Sequence, residues 1–324
     1  MAQYGFATEG VTIVADFPDQ INGRTFLITG PSQGGIGGET AISLAHGAPS
    51  TIILLGRSLT KIQPIINSIK TINPSISVKF FPVTFDSLSS TRSAAQKILA
   101  DDKIKNIDVV INNAGVMACP YGLTEDGFET HFATNHLSHF LLTKLLMPKI
   151  LASPSPVRIV NVGSWGHLAS PILFDDLDFG AGATYVEFTA YGQSKTANVL
   201  FSVSLNKNLG KRGSSWSLHP GAIDSGLQKY VTPEMRAEGM KMMAATGLLA
   251  KMGGKMPKRK TLQQGCATTL RAALDPGLVP GVGVVDKDGK GGESCYLSDC
   301  QVVNDENNVA GGRWIRGRLR SCGS

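Results

Sequence analysis

The sequence is short of aromatic residues, which make up 7% of its 324 residues, and it carries no Cys-x-x-Cys pair. Its five cysteines, Cys119, Cys266, Cys295, Cys300 and Cys322, are scattered and odd in number. Neither a disulfide framework nor a zinc site is written into that spacing. Free thiols in a reducing compartment are the natural reading, and with them a cytoplasmic location. No stretch approaches the ~20 apolar residues that span a bilayer. Residues 1–16 lack a basic start followed by a long apolar run, so no secretory signal is visible. No lysine/arginine run is interleaved with aromatics, which argues against nucleic acid as a partner. The net charge of +6 is mild, and much of the excess sits toward the C-terminal end. His136, His139 and His167 have no carboxylate or cysteine at ligand spacing, so they read as packed or surface imidazoles and not as a metal site.

What is present suits a globular chain with ample core: 42% hydrophobic residues, 17% charged, and 37 glycines for tight turns. Residues 1–23 read as an N-terminal extension. Residues 25–29 form a short apolar run rich in β formers and lead into Gly30-Pro31-Ser32-Gln33-Gly34-Gly35-Ile36-Gly37-Gly38, followed by helical spacing over 39–45. Strand, glycine loop and helix in that order suit a pyrophosphate, because glycine lets the backbone approach and a helix start offers free N–H groups. A tight turn with no ligand is the alternative. A second strand, 51–55, ends at Gly56-Arg57-Ser58. The acidic residue that would hold a ribose 2′-hydroxyl is missing there; Arg57, with Lys61 one turn on, suits a 2′-phosphate instead and points to NADP(H). A solvated strand-end charge is the plainer reading of Arg57.

Further strands are predicted at 77–84, 107–111, 157–162 and 214–218, with helices near 89–101 and 128–146 between them. Strands alternating with helices predict an α/β doubly wound parallel sheet, a Rossmann fold, in a single domain. Ligands of such sheets sit beyond the C-terminal strand ends. The glycine loop, Arg57, Asp86, Asn113, Ser164 and residues 220–225 all fall at those ends.

One pair carries chemistry of its own. Tyr191 and Lys195 are four apart in Tyr191-Gly192-Gln193-Ser194-Lys195, hence on one helix face. A cation held beside a phenol favours the phenolate, which would lower the Tyr191 pKa toward working pH. Taken alone the pair reads more plainly as an amphipathic helix with a surface lysine. Asn135, likewise, is either a functional amide or a helix residue bonded to nearby backbone.

In this order the motifs resemble the short-chain dehydrogenases/reductases. The matching residues are Thr29-Gly30…Gly35-Ile36-Gly37, Asn112-Asn113-Ala114-Gly115, Asn135, Ser164, Tyr191-x-x-x-Lys195 and Pro220-Gly221, spread over about residues 24–230. The runs at 132–143 and 191–201 look like the retinol-dehydrogenase-like branch with its fungal and plant relatives. The resemblance implies Tyr191 as proton donor or acceptor, with Lys195 lowering its pKa and holding the nicotinamide ribose. It implies Ser164 on the substrate oxygen and Asn135 anchoring a water that links Lys195 to solvent. Asp86 and Asn113 would lie on the adenosine side, and Ile223 and Ser225 along the carboxamide. Dimers or tetramers are the family habit. Two departures stand out. The glycine loop is one residue longer than usual before Gly35, and Gly163 replaces a frequent second serine.

Together these readings give an NADP(H)-dependent oxidoreductase acting on a carbonyl or alcohol of a lipophilic small molecule. The alternatives are an NAD-dependent alcohol dehydrogenase, or a cofactor-binding regulatory protein without turnover. The domain is expected over 24–300. Residues 226–262, with Met235, Met240, Met242, Met243, Met252 and Met256, are expected as the lid, an ordinary core helix being the alternative. Residues 301–324 form a basic tail. Cys119 reads as a pocket wall rather than a nucleophile.

Overall fold

In the computed structural model the chain is described over residues 4–245, 247, 249, 258–280 and 295–303. Met252, Met256, Cys322 and all but the first three residues of the expected tail lie outside the described residues. The centre is an eight-stranded sheet: β1 (Thr25–Thr29), β2 (Thr51–Gly56), β3 (Ser77–Pro82), β4 (Val109–Asn112), β5 (Val157–Val162), β6 (Gly213–His219), β9 (Tyr296–Ser298) and β10 (Gln301–Val302). Its order is β10-β9-β6-β5-β4-β1-β2-β3, all parallel except the β9–β10 pair. β7 (Ala222–Ile223) and β8 (Arg259–Lys260) form a separate small parallel pair.

The helices are α1 (Gly10–Asp16), α2 (Ile36–Ala45), α3 (Leu59–Ile72), α4 (Leu88–Ala100), α5 (Thr130–Phe132), α6 (Ser138–Leu151), α7 (Glu187–Leu209), α8 (Pro233–Ala245) and α9 (Leu262–Leu274). β1 and β2 are buried along their whole length, and their runs are apolar on both faces because helices cover both. Successive residues alternate between two cores. Phe26, Ile28, Ile52 and Leu54 join Ile13, Leu44, Ile65 and Leu270 on one side. Leu27, Ile53 and Leu55 join Ile98, Leu142, Leu146 and Phe201 on the other. β3 is the edge, and its polar residues Ser77 and Lys79 leave it only half-buried.

The predicted helix near 128–146 is in fact broken. α5 passes into a five-residue π turn, Ala133–Leu137, before α6, and Asn135 sits inside that turn. π turns of this kind cluster at functional sites. The chain order runs outward from β1 to β3 and then returns to place β4 on the other side of β1. That reversal opens a crevice beyond the ends of β1 and β4.

Of the N-terminal extension, α1 packs against α2 and α9. Its contact is close: a Cβ on Gly10 would lie 2.4 Å from Cys266 Sγ and 2.8 Å from Leu270 Cδ1. The Gln263 side chain braces it, accepting from Val11 N at 3.0 Å and donating to Ser43 Oγ at 3.0 Å. Gly10→Val should therefore lower the urea midpoint by the equivalent of ~1–3 kcal/mol through overpacking. An unchanged midpoint would show that α1 contributes nothing to the core.

Candidate active site

The strand–loop–helix junction is closed by glycines and one amide. Gly30 has φ +66°, and a Cβ there would lie 2.8 Å from Ala114 Cα. A Cβ on Gly37 would meet Asn113 Nδ2 at 2.4 Å and the Gly30 carbonyl at 2.8 Å. Both positions are too tight for any side chain. Asn113 Nδ2 donates to the carbonyls of Thr29 (2.9 Å) and Gly30 (3.2 Å), fastening the end of β4 to the loop. α2 starts at Ile36 with Gly35 as an extended N-cap and no side-chain cap, so its first N–H groups face outward unclaimed by a side chain. At the exposed tip of the loop Gly34 has φ +71° and nothing within 4 Å of a Cβ.

Arg57 follows β2 directly, and Gly56 beside it packs toward Pro31 of the loop. Lys61 lies in the first turn of α3, and both cations are exposed. Among the described residues neither has an ion pair. Asp86 is exposed in the turn after β3. Ile223 is buried between α9 and the start of α2, where a Cβ on Gly265 would touch both Ile223 (2.8 Å) and Ile36 (3.7 Å). Ser225 accepts from Leu227 N at 3.4 Å and caps a short turn.

The reactive groups gather at the ends of β4 and β5. Tyr191 and Lys195 share one face of α7, with Lys195 Nζ 5.6 Å from the Tyr191 ring centre. Lys195 donates to the Val162 carbonyl at the end of β5 (2.9 Å). Ser164 follows β5, accepts from Gly166 N at 3.0 Å, and lies beside the Tyr191 phenol, favouring its charged form. Gly166 leaves room for the phenol, since a Cβ there would lie 2.8 Å from Tyr191 Cε1. Asn135 grips the loop after β4, accepting from Val116 N (2.8 Å) and donating to its carbonyl (3.0 Å). A Cβ on Gly115 would sit 3.0 Å from Asn135 Oδ1 and 3.7 Å from Lys195 Nζ, so these two groups face one another across a glycine.

The electrostatics correct one expectation. Burial pushes the Tyr191 phenol up to about 12, and Ser164 offsets only part of that. Lowering by Lys195 does not prevail, because desolvation disfavours a charge on either group. The same burial brings Lys195 down to about 8.

Gly163 has a steric reason: a Cβ would lie 2.8 Å from Ser217 Oγ and 2.9 Å from the Leu218 carbonyl. His136, His139 and His167 are packed and bonded to Asn198, to the Asn135 carbonyl and to the Ser164 carbonyl, as imidazoles rather than metal ligands. Among the described residues no group of His, Cys, Asp and Glu could hold a metal ion.

A cluster beside Tyr191 was not singled out from the sequence. His131 lies edge-on to the Tyr191 ring, centres 6.1 Å apart. Its Nε2 accepts from Cys119 N (3.3 Å), which leaves Nδ1–H to donate to buried Glu129 (2.8 Å). Tyr185 donates to the Cys119 carbonyl (2.8 Å). Burial, with Glu129 nearby, pushes the Cys119 thiol up to about 11, so it stays neutral. The signal in the sequence was the Glu129-x-His131 spacing, an acid and a base two residues apart.

Residues 24–174 match the family model described as short chain dehydrogenase. A short-chain dehydrogenase/reductase of Penicillium rubens is 37% identical over 288 residues, which is 87% of this chain and 76% of that protein. This chain belongs to the short-chain dehydrogenase family. Mouse retinol dehydrogenase 12 is 35% identical over 303 residues, 93% of this chain and 83% of its own. A crystal structure of an uncharacterised protein from Mycobacterium paratuberculosis superposes with a TM-score of 0.61 at 30% identity, covering 88% of this chain and 83% of that one. The short-chain dehydrogenase described here is thus a Rossmann-fold oxidoreductase of alcohol and carbonyl groups, of a family that uses a nicotinamide cofactor. Among the described residues no helix is long and apolar enough to cross a membrane.

Folding lowers the Lys195 pKa from 10.5 to about 8. Between those values the unfolded chain keeps a proton that the folded protein has released, so this residue's contribution to stability rises with pH across that window. The stability difference between wild type and Lys195→Met, from urea denaturation, should therefore shift in favour of wild type between pH 8 and pH 10. A flat difference would contradict the burial of a titrating ammonium.

Proposed function

We propose that this short-chain dehydrogenase uses NADP(H) to interconvert a carbonyl and an alcohol on a lipophilic small molecule, with Tyr191 moving the proton. The observation that carries the reading is the meeting of Ser164, Tyr191, Lys195 and Asn135 at the ends of β4 and β5, beside the uncapped start of α2.

The residues present fit a dinucleotide. The tight glycines at 30 and 37 bring backbone where a pyrophosphate would lie, with Gly35 and Ile36 opening α2. Arg57 and Lys61, exposed and free of ion pairs among the described residues, suit a 2′-phosphate. Asp86 and Asn113 are assigned to the adenosine side, Ile223 and Ser225 to the carboxamide, and Lys195 with Tyr191 to the ribose. When bound, the nicotinamide supplies or accepts the hydride. The protein's share is orientation and the proton.

As a carbonyl gains a hydride its oxygen becomes an alkoxide, which two O–H donors, Ser164 and Tyr191, would stabilise. A phenol pushed up to about 12 is protonated at neutral pH. It therefore carries the proton that reduction of a carbonyl requires. Its proton is replaced from the side of Lys195 and Asn135. Four cysteines, Cys119, Cys266, Cys295 and Cys300, are free and buried, in keeping with a cytoplasmic setting.

Residues 226–262 are read as the substrate cover. Within them α8 has no buried side chain among those described. Val231, Met235, Gly239 and Met243 are half-buried at every fourth position, and a Cβ on Gly239 would touch Phe188 of α7 at 3.4 Å. A helix with one such stripe resting on the Tyr191 helix fits a cover better than a core element. The retinol dehydrogenase among the relatives supports an apolar substrate.

Tyr191→Phe should lose turnover by on the order of 10²–10⁴-fold while NADPH still binds. Retained turnover against a panel of lipophilic ketones and aldehydes would end this reading. Arg57→Asp should weaken NADPH binding by about tenfold to a hundredfold, the scale of a lost charge-assisted contact, and leave NADH nearly unchanged. Equal affinities before and after would remove the NADP(H) assignment.

A further inference from the structure

Thr29, at the end of β1, is fully buried, and its hydroxyl is shared among more groups than a hydroxyl can serve in arbitrary roles. Asn113 N and Ala114 N both donate to Thr29 Oγ1, each at 2.9 Å. Those two bonds fill its lone pairs, so its own proton has to point elsewhere. His139 Nε2 lies 2.9 Å away, closer than the Ile111 carbonyl at 3.5 Å. The hydroxyl therefore donates to Nε2, and the imidazole proton must reside on Nδ1. There it donates to the Asn135 carbonyl at 3.0 Å. That carbonyl belongs to the π turn, and its second lone pair can take a side-chain donor.

From Asn135 the bonding continues in the same sense. Asn135 Nδ2 donates to Ser194 Oγ at 2.9 Å, and Ser194 donates to the Tyr191 carbonyl at 2.7 Å. Thr29, Asn135, Ser194 and His139 are each at most 1% exposed. Every donor and acceptor in this line has one assignable role. It joins the end of β4 beside the dinucleotide loop, β1, the π turn and the helix that carries Tyr191.

A charged His139 would break the line, because a proton on Nε2 would face a hydroxyl with no free lone pair. Burial holds the imidazole down at about 4, and nearby Lys195 acts in the same direction.

We infer that His139 is a positioning residue: as the neutral Nδ1–H tautomer it couples the strand end that carries the dinucleotide loop, through Thr29, to the Asn135 turn and so to the Tyr191 helix. The inference rests on the proposed function for what the coupling serves, but not for the hydrogen bonds themselves. The geometry needs an acceptor at one end of the side chain and a donor at the other. Glutamine offers both on a flexible stem; leucine offers neither.

The experiment has a spectroscopic arm and a kinetic arm. In a long-range ¹H–¹⁵N spectrum of histidine-labelled wild-type protein at pH 7, assigned with His139→Gln, the His139 ring should show a protonated Nδ1 and a bare Nε2. Free imidazoles favour the opposite form, so a protonated Nε2 overturns the inference. In the kinetic arm His139→Leu should lower kcat by on the order of tenfold to a hundredfold, the scale of a displaced catalytic group, with NADPH affinity changed far less. His139→Gln should recover much of the loss. Ser194→Ala should lower kcat as well, and the double variant His139→Leu/Ser194→Ala should be no slower than the slower single, as for groups in one network. Unchanged kcat in His139→Leu, or losses that simply add, would reduce His139 to a packing residue and overturn the inference. Should His139→Leu not fold, His139→Gln with Ser194→Ala and the spectrum decide it. Wild-type protein that consumes no NADPH would defeat the functional reading alone, since the tautomer is read without turnover.

Discussion

The end of β1 meeting the end of β4 is the contact on which the rest of the molecule turns. Gly30 and Gly37 remove side chains from that meeting, and Asn113 bonds across it to two carbonyls of the loop. Because β4 lies on the opposite side of β1 from β2, a crevice opens beyond the ends of these two paired strands. The glycine loop, the Asn135 turn and the Tyr191 helix all converge on this opening. A single Cβ at position 30 or 37 would separate strands whose closeness orders everything downstream.

Burial and charge compete at the reactive residues, and burial has the larger effect. A lysine four residues from a tyrosine invites the conclusion that the phenol is made acidic. In the folded protein both lie in a dry interior, which keeps the phenol protonated and draws the ammonium toward neutrality. Ser164 is the group that favours the phenolate, so the serine tempers the effect of burial.

Much of this was legible in the residues. The runs at 25–29 and 51–55 are apolar on every position, which only a strand covered on both faces tolerates, and they appear as fully buried β1 and β2. Ser164, Tyr191, Lys195 and Asn135 could be named because their types and order are distinctive. What stayed hidden depends on contacts between distant segments. The π turn, Ala133–Leu137, has no local marker, and the Asn135 side chain inside it is held by Val116 and Ser194, which are distant in the sequence. The roles of Thr29, His131 and His139 likewise come from partners up to 110 residues away. The net direction of the Tyr191 shift was illegible because sequence spacing reports a neighbour's charge but not the depth at which both are buried.

Gly163 connects the site to the far edge of the sheet. Its bare Cα is crowded by Ser217 and Leu218 of β6, and the Tyr296 ring of β9 lies 3.5 Å from where a Cβ would be. Tyr296 pairs in register with Ser217, and the ring of the same tyrosine stacks edge-on against His167, which holds the Ser164 carbonyl. The floor beneath Ser164 is thus laid by β9, which follows all the other residues named at this site. A nascent polypeptide emerging in order would possess its glycine loop, serine, tyrosine and lysine well before it possessed that floor. The surroundings of Ser164 are therefore complete only once β9 has been made.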